Sequence, residues 1–191
     1  MTELSTFKDQ LPDGVSCLVV VIMCHGKLGH ISLSDGKEIQ LEEIYQMFNN
    51  SQCKVLRKKP KLFIVQACGG VELKTIKIDE AGGSTQPSKT ELLPTESDAM
   101  VVNAVCPDKL VIRHKDLGCC PMFTGISKVF ENCETPPLHM YELFTQMNRS
   151  LDENIPDLAE NKTDESEQLE QGKIGNSLYI VSSLTKKWYL K

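Results

Sequence analysis

No stretch of this sequence is long and apolar enough to cross a bilayer. The longest apolar run, Cys17 to Cys24, has eight residues, where a spanning helix needs about 20. The N-terminus lacks the apolar core of a secretory signal, because Met1 to Gly14 is polar and of mixed charge. Thr2 excludes myristoylation, and the last residues carry no prenylation box. Basic charge is also in short supply: 21 Lys and Arg stand against 26 Asp and Glu, for a net charge of −5. The two basic clusters, Arg57 to Lys61 and Lys186–Lys187, are short flanks rather than a stripe able to track phosphates. A nucleic-acid partner and a membrane partner are therefore not expected.

Zinc-type spacing is missing as well. There are eight cysteines and no C-x-x-C, Cys119 and Cys120 are vicinal, and the four histidines form neither H-x-x-H nor H-x-x-x-H. No metal and no other cofactor is expected, and no phosphate-binding glycine loop occurs. Cys17, Cys24 and Cys106 sit in apolar runs, where a reduced thiol behaves as a small hydrophobe. Together with the absent signal, this predicts a reducing, cytoplasmic setting.

What remains is ordinary globular composition, 40% hydrophobic and 25% charged, in a chain of one-domain length. Residues 16–23 are a continuous β-branched run, the pattern of a strand buried on both faces of a parallel sheet. Residues 31–39 read as a hairpin turning at Asp35-Gly36. Leu41, Ile44, Tyr45 and Phe48 recur at helical spacing, with Glu42 and Glu43 in the first turn and an end near Asn49–Asn50. A second buried strand spans 61–67. Strand, helix and strand make a βαβ unit, which predicts parallel neighbours. Residues 72–95 are loop-like, and 100–105 and 110–112 are short strands. Helices are expected over 122–130 and 137–147, the second capped by Thr135 with Pro136 at its first position. Residues 151–171 carry eight acids and one lysine, a solvated insert. A last strand covers 177–183, before a tail bearing the only tryptophan, Trp188.

The two strands of the βαβ unit end in Cys24-His25-Gly26 and Cys68-Gly69-Gly70. Chemistry in open α/β sheets gathers at the carboxyl ends of parallel strands. Adjacent strands lie about 5 Å apart, so His25 and Cys68 are expected to meet at one edge. A thiol is only a few per cent thiolate at neutral pH, and a neighbouring imidazole supplies the base it needs. The backbone N–H groups of Gly26 and Cys68 are candidates for an oxyanion hole.

Gln66-Ala67-Cys68-Gly69-Gly70 is an accepted form of the caspase nucleophile signature, with its histidine roughly 50 residues upstream. The resemblance to the caspase family runs over about residues 15–191. Lys59 to Val65 resembles the strand leading to the catalytic cysteine, and Cys24-His25-Gly26 resembles the family's Ser-His-Gly. Leu110-Val111-Ile112-Arg113 is similar to the segment carrying an arginine for the substrate's aspartate. Ile180-Val181-Ser182 and Leu184-Thr185-Lys186 resemble the final strand and tail.

The resemblance implies an α/β, three-layer sandwich with a mostly parallel sheet flanked by helices. It implies a cysteine endopeptidase that cuts protein or peptide substrates after aspartate. His25 and Cys68 are then the dyad, and Gln66 and Arg113 the floor of the acid-selecting pocket. The division implied is a polar segment 1–15, a large-subunit-like part 16–78, a linker 79–97 and a small-subunit-like part 98–191 with the acidic insert. Asp79 is the processing candidate in the linker. Homodimers, or heterodimers with other caspases, are the implied partners.

Against the family's pattern, the chain begins where its third strand begins, so the sheet is expected to lack two strands, a helix and a second pocket arginine. Leu110 and Ile112 stand where aromatics commonly shape the neighbouring pocket. A second reading is therefore an inactive, truncated pseudo-caspase that acts by binding other caspases.

Overall fold

The computed structural model describes residues 2–27, 29–67, 97–104, 121–131, 138–154 and 177–189. The expected loop over 72–95, the strand over 110–112, Thr135, Pro136 and the acidic insert beyond residue 154 lie outside them. The chain order is α1 (Thr2–Asp9), β1 (Leu18–Met23), β2 (Gly26–Lys27), β3 (His30–Ser32), β4 (Glu38–Gln40), α2 (Leu41–Met47), a 3-10 turn (Lys54–Leu56), β5 (Lys61–Gln66), β6 (Ala99–Asn103), α3 (Pro121–Glu131), α4 (Met140–Asn154) and β7 (Tyr179–Ser182).

Four strands form the main sheet in the order β1-β5-β6-β7. β1, β5 and β6 are parallel, and β7 runs antiparallel to β6. The βαβ expectation holds, with β1 and β5 as direct neighbours. β5 is buried along its whole length because it lies inside the sheet with helices on both faces. Phe63 and Val65 point to the α2 side with Tyr45, Phe48 and Leu56, while Leu62 and Ile64 point to the α3/α4 side with Phe144 and Met147. Tyr45 meets Phe63 edge-on at 4.8 Å between ring centroids, a favoured aromatic geometry.

β1 departs from the double-sided burial its composition suggests. Leu18, Val20 and Ile22 pack toward α2, but Val19, Val21 and Met23 are 48%, 49% and 60% exposed. The reason is position. β1 is an edge strand of the described sheet, and α3 and α4 cover β5 and β6 without reaching it.

Two further differences concern helices. The polar N-terminal segment forms α1, which lays Leu4 on the core and sets Phe7 edge-on to Phe48. α4 begins at Met140, later than its apolar period suggests. His139 caps it: its Nδ1 accepts the Tyr141 N–H at 3.1 Å, and Glu142 accepts the His139 N–H at 3.3 Å. The helix continues through Asn154, with Leu151 buried, so residues 151–154 belong to it rather than to the acidic insert.

A polar cluster ties the start of β5 to the start of β6 and to the segment after β7. The buried Lys61 ammonium donates to Asn50 Oδ1 at 2.9 Å and to the carbonyls of Lys59 and Leu56 at 3.0 and 3.4 Å. Asn50 in turn donates to Ser97 at 3.3 Å. Buried Asp98 accepts from the Thr185 N–H at 3.2 Å and from its hydroxyl. Burial pushes the Asp98 carboxyl up, but the Thr185 hydrogen bonds, the Lys61 ammonium and the Ser97 hydroxyl outweigh it and hold it below the usual aspartate value.

Candidate active site

β1 and β5 pair in parallel from Leu18 with Lys61 to Met23 with Gln66, every pair 43 residues apart in sequence. One more ladder bond follows, from the Cys24 N–H to the Gln66 carbonyl at 3.2 Å. The strands therefore deliver Cys24-His25 and Ala67 to the same edge of the sheet. Cys68, Arg113 and Asp79 lie outside the described residues, as do Cys106, Cys119, Cys120 and Cys133. Cys17, Cys24 and Cys53 stand as thiols.

His25 is exposed at this edge. Its carbonyl accepts the Ser32 N–H at 2.9 Å, which pins its backbone to the small antiparallel sheet β2-β3-β4. That sheet is closed at its far end by the Asp35-Gly36 turn, with Gly36 at φ 81° and the Leu33 N–H on the Lys37 carbonyl at 2.8 Å. A Lys27–Glu38 ion pair at 3.1 Å braces its outer face. The Leu41 N–H bonds the Gly29 carbonyl at 2.8 Å, joining the sheet to α2.

Gly26 is where the histidine segment meets the cysteine strand. A Cβ there would stand 2.4 Å from the His30 carbonyl oxygen and 3.1 Å from the Ala67 Cβ. The first distance is a backbone collision, so only glycine fits. The second sets Gly26 directly against the residue that precedes Cys68. Gln66, just before, is 2% exposed, and its Oε1 is buried without a hydrogen-bond partner among the described residues. Such an atom carries an unpaid desolvation cost until a polar group reaches it.

A family model described as the caspase domain matches residues 2–189. The chain belongs to the caspase family. Human caspase-14 is 32% identical over 196 residues, covering 99% of this chain and 74% of the relative. Mouse caspase-3 is 26% identical over 176 residues, covering 91% of this chain and 59% of the relative. Caspase-1 from Spodoptera frugiperda superposes with a TM-score of 0.70 over 97% of this chain and 67% of that one; at 17% identity the likeness concerns the fold. The mostly parallel sheet flanked by helices is thus the caspase fold, and family membership sets the chain among cysteine peptidases. No helix of the described residues is long and apolar enough to cross a membrane.

His25 and Gly26 were expected at this sheet edge from strand-end logic and Gln66 from the family resemblance, and all three lie there. Sequence reasoning missed the polar cluster of Asn50, Lys61, Asp98 and Thr185, whose members are spread over 135 positions. The signal available was a lysine opening an otherwise apolar strand.

Proposed function

We propose that this caspase-family chain carries thiol-peptidase chemistry, with Cys68 as nucleophile and His25 as its base. The observation that carries the reading is the constant offset of 43 in the β1–β5 ladder, which equals the separation of His25 from Cys68. The thiolate attacks the scissile carbonyl after His25 takes its proton, and the imidazolium then protonates the leaving amine. The N–H groups of Gly26 and Cys68 would hold the developing oxyanion, and the tight seat of Gly26 against Ala67 supports that assignment.

The substrate preference proposed is aspartate before the cleaved bond. Gln66, buried and with its Oε1 unpartnered among the described residues, suits a pocket floor that receives a polar group, and Arg113 would clamp the carboxylate bidentately. Asp79 is the proposed linker processing point, and death- or differentiation-type proteolysis in the cytoplasm is the proposed setting. Labelling by an aspartyl electrophile, lost on Cys68→Ala, tests the reading.

One observation favours a second, non-catalytic reading. The position of β1 at the edge of the described sheet, with Val19, Val21 and Met23 exposed, suits docking to another caspase. Absence of labelling, together with co-purification of a second family member, would support that reading instead.

A further inference from the structure

Two short basic runs, far apart in the sequence, meet at the end of the main sheet opposite His25. The Lys61 N–H bonds the Asp98 carbonyl and the Asp98 N–H bonds the Ser183 carbonyl, both at 2.9 Å. The starts of β5 and β6 and the end of β7 therefore share one row, two strand spacings or about 10 Å across. Lys54, Arg57 and Lys58 precede β5, Lys186 and Lys187 follow β7, and all five are exposed. The polar cluster bridges them. Arg57 Nε donates to the Asn50 carbonyl at 3.3 Å, Asn50 donates to the Ser97 carbonyl at 3.3 Å, and Asp98 accepts the Thr185 N–H at 3.2 Å. Lys58 stands at φ 61°, its N–H on Asn50 Oδ1 at 3.3 Å. That conformation suits glycine and strains a residue with a Cβ, yet a lysine occupies it.

The patch is uncompensated. None of its five residues forms an ion pair among the described residues, whereas Lys8, Lys27 and Lys37 face acids at 3.8, 3.1 and 3.0 Å. Asp98, the acid inside the cluster, is buried on Thr185. In a chain of net charge −5 this end is a local reversal of sign.

Acidic charge gathers at the other end. α4 starts beside the patch, with the Met140 N–H on the Trp188 carbonyl at 2.9 Å. Its 15 residues carry the chain about 21 Å away, to Asn154. The chain returns at Leu178, whose N–H bonds Asn148 Oδ1 at 2.7 Å, and Tyr179 pairs with Asn103 at the far end of β6. Between Asn154 and Ser177 the sequence holds Asp157, Glu160, Asp164, Glu165, Glu167 and Glu170 against Lys162 and Lys173.

We infer that the basic end receives the acidic segment of a second copy of this chain, in a head-to-tail contact. Within one chain both ends of the segment are fixed about 20 Å or more from the patch. A return trip spends over half of its extended length and brings only its middle acids within reach. From a second copy the whole segment can lie along the patch. Exposed ion pairs are individually weak and screened by salt, so the contact draws on several at once. Its two surfaces differ, so it does not close as a two-fold pair and can extend beyond a dimer.

Sedimentation velocity tests this in a Val21→Lys background, which suppresses association through the face of β1. That chain should associate at about 20 mM salt, with an association constant at least about tenfold lower at about 300 mM. Lys58→Gln with Lys186→Gln and Lys187→Gln should weaken association about tenfold or more, and so should Asp164→Asn with Glu165→Gln and Glu167→Gln. Mixing these two variants should restore it, now stopped at one copy of each, because one keeps the acidic segment and the other keeps the patch. Lys8→Gln with Lys27→Gln and Lys37→Gln, matched in charge, should associate like the parent. A Val21→Lys chain that stays monomeric at low salt, as it would if its own acidic segment covered the patch, would overturn the proposal. So would a mixture that stays monomeric, or an equal loss in the charge-matched control.

Discussion

Gly26 lies against Ala67, with 3.1 Å between the place of a Gly26 Cβ and the Ala67 Cβ, so the residue after His25 touches the residue before Cys68. The two halves of the proposed dyad are thus joined through backbone and one methyl group. Gly26→Ala should disturb both, because the added methyl meets the His30 carbonyl at 2.4 Å. Overpacking of this kind costs about 1–3 kcal/mol. Displacing a base by about 1 Å can slow chemistry roughly a hundredfold. The expected outcome is a lower melting point with a much larger fractional loss of electrophile labelling, measured on the same preparation.

Asp98 gives the fold a specific acid sensitivity. Its carboxyl is held below the ordinary aspartate value, so the ionised form favours the folded chain. That contribution is present above the unfolded aspartate value of about 3.9 and is lost as pH falls through the lower folded value. Urea unfolding between about pH 4 and pH 2 should therefore be less pH-dependent in Asp98→Asn than in the parent. At neutral pH, Asp98→Ala should cost about 1–3 kcal/mol, since the Thr185 donors lose their acceptor.

Much of this architecture could be read before any coordinates. The βαβ unit was legible because β5 is apolar on both faces and α2 keeps a clean period from Leu41 to Phe48. The same apolar richness misled at β1, because composition cannot distinguish a central strand from an edge strand whose outer face is uncovered. The start of α4 was obscured because histidine is an uncommon cap, and Thr135 with Pro136 offered a more conventional one. The place of His25 at a strand end was legible from the apolar run before it, whereas Gln66 entered only through the family signature. The Lys61 to Asp98 cluster was not legible, because its partners meet only after three strands align.

The bare face of β1 should make the chain self-associate. Val19, Val21 and Met23 carry no charge to discourage edge pairing. Val21→Lys should reduce concentration-dependent association in sedimentation velocity while changing stability by less than about 0.5 kcal/mol, as is usual for an exposed site. Unchanged association would remove the edge as its cause.

Capping by His139 predicts a graded series. His139→Ala should lower stability by about 1 kcal/mol, whereas His139→Asn should keep most of it, because asparagine also offers an acceptor to the first turn. Thermal melts of the three proteins check this. Equal losses for both variants would assign the effect to the edge contact between His139 and Tyr189 instead.

The central claim is that the β1–β5 register brings His25 to Cys68 and makes that thiol the nucleophile. Covalent labelling by an aspartyl electrophile, read by intact mass, tests it most directly. The account predicts one label per chain, lost in Cys68→Ala, strongly slowed in His25→Ala, and retained in Cys53→Ala and Cys133→Ala. Labelling that survives Cys68→Ala would contradict it.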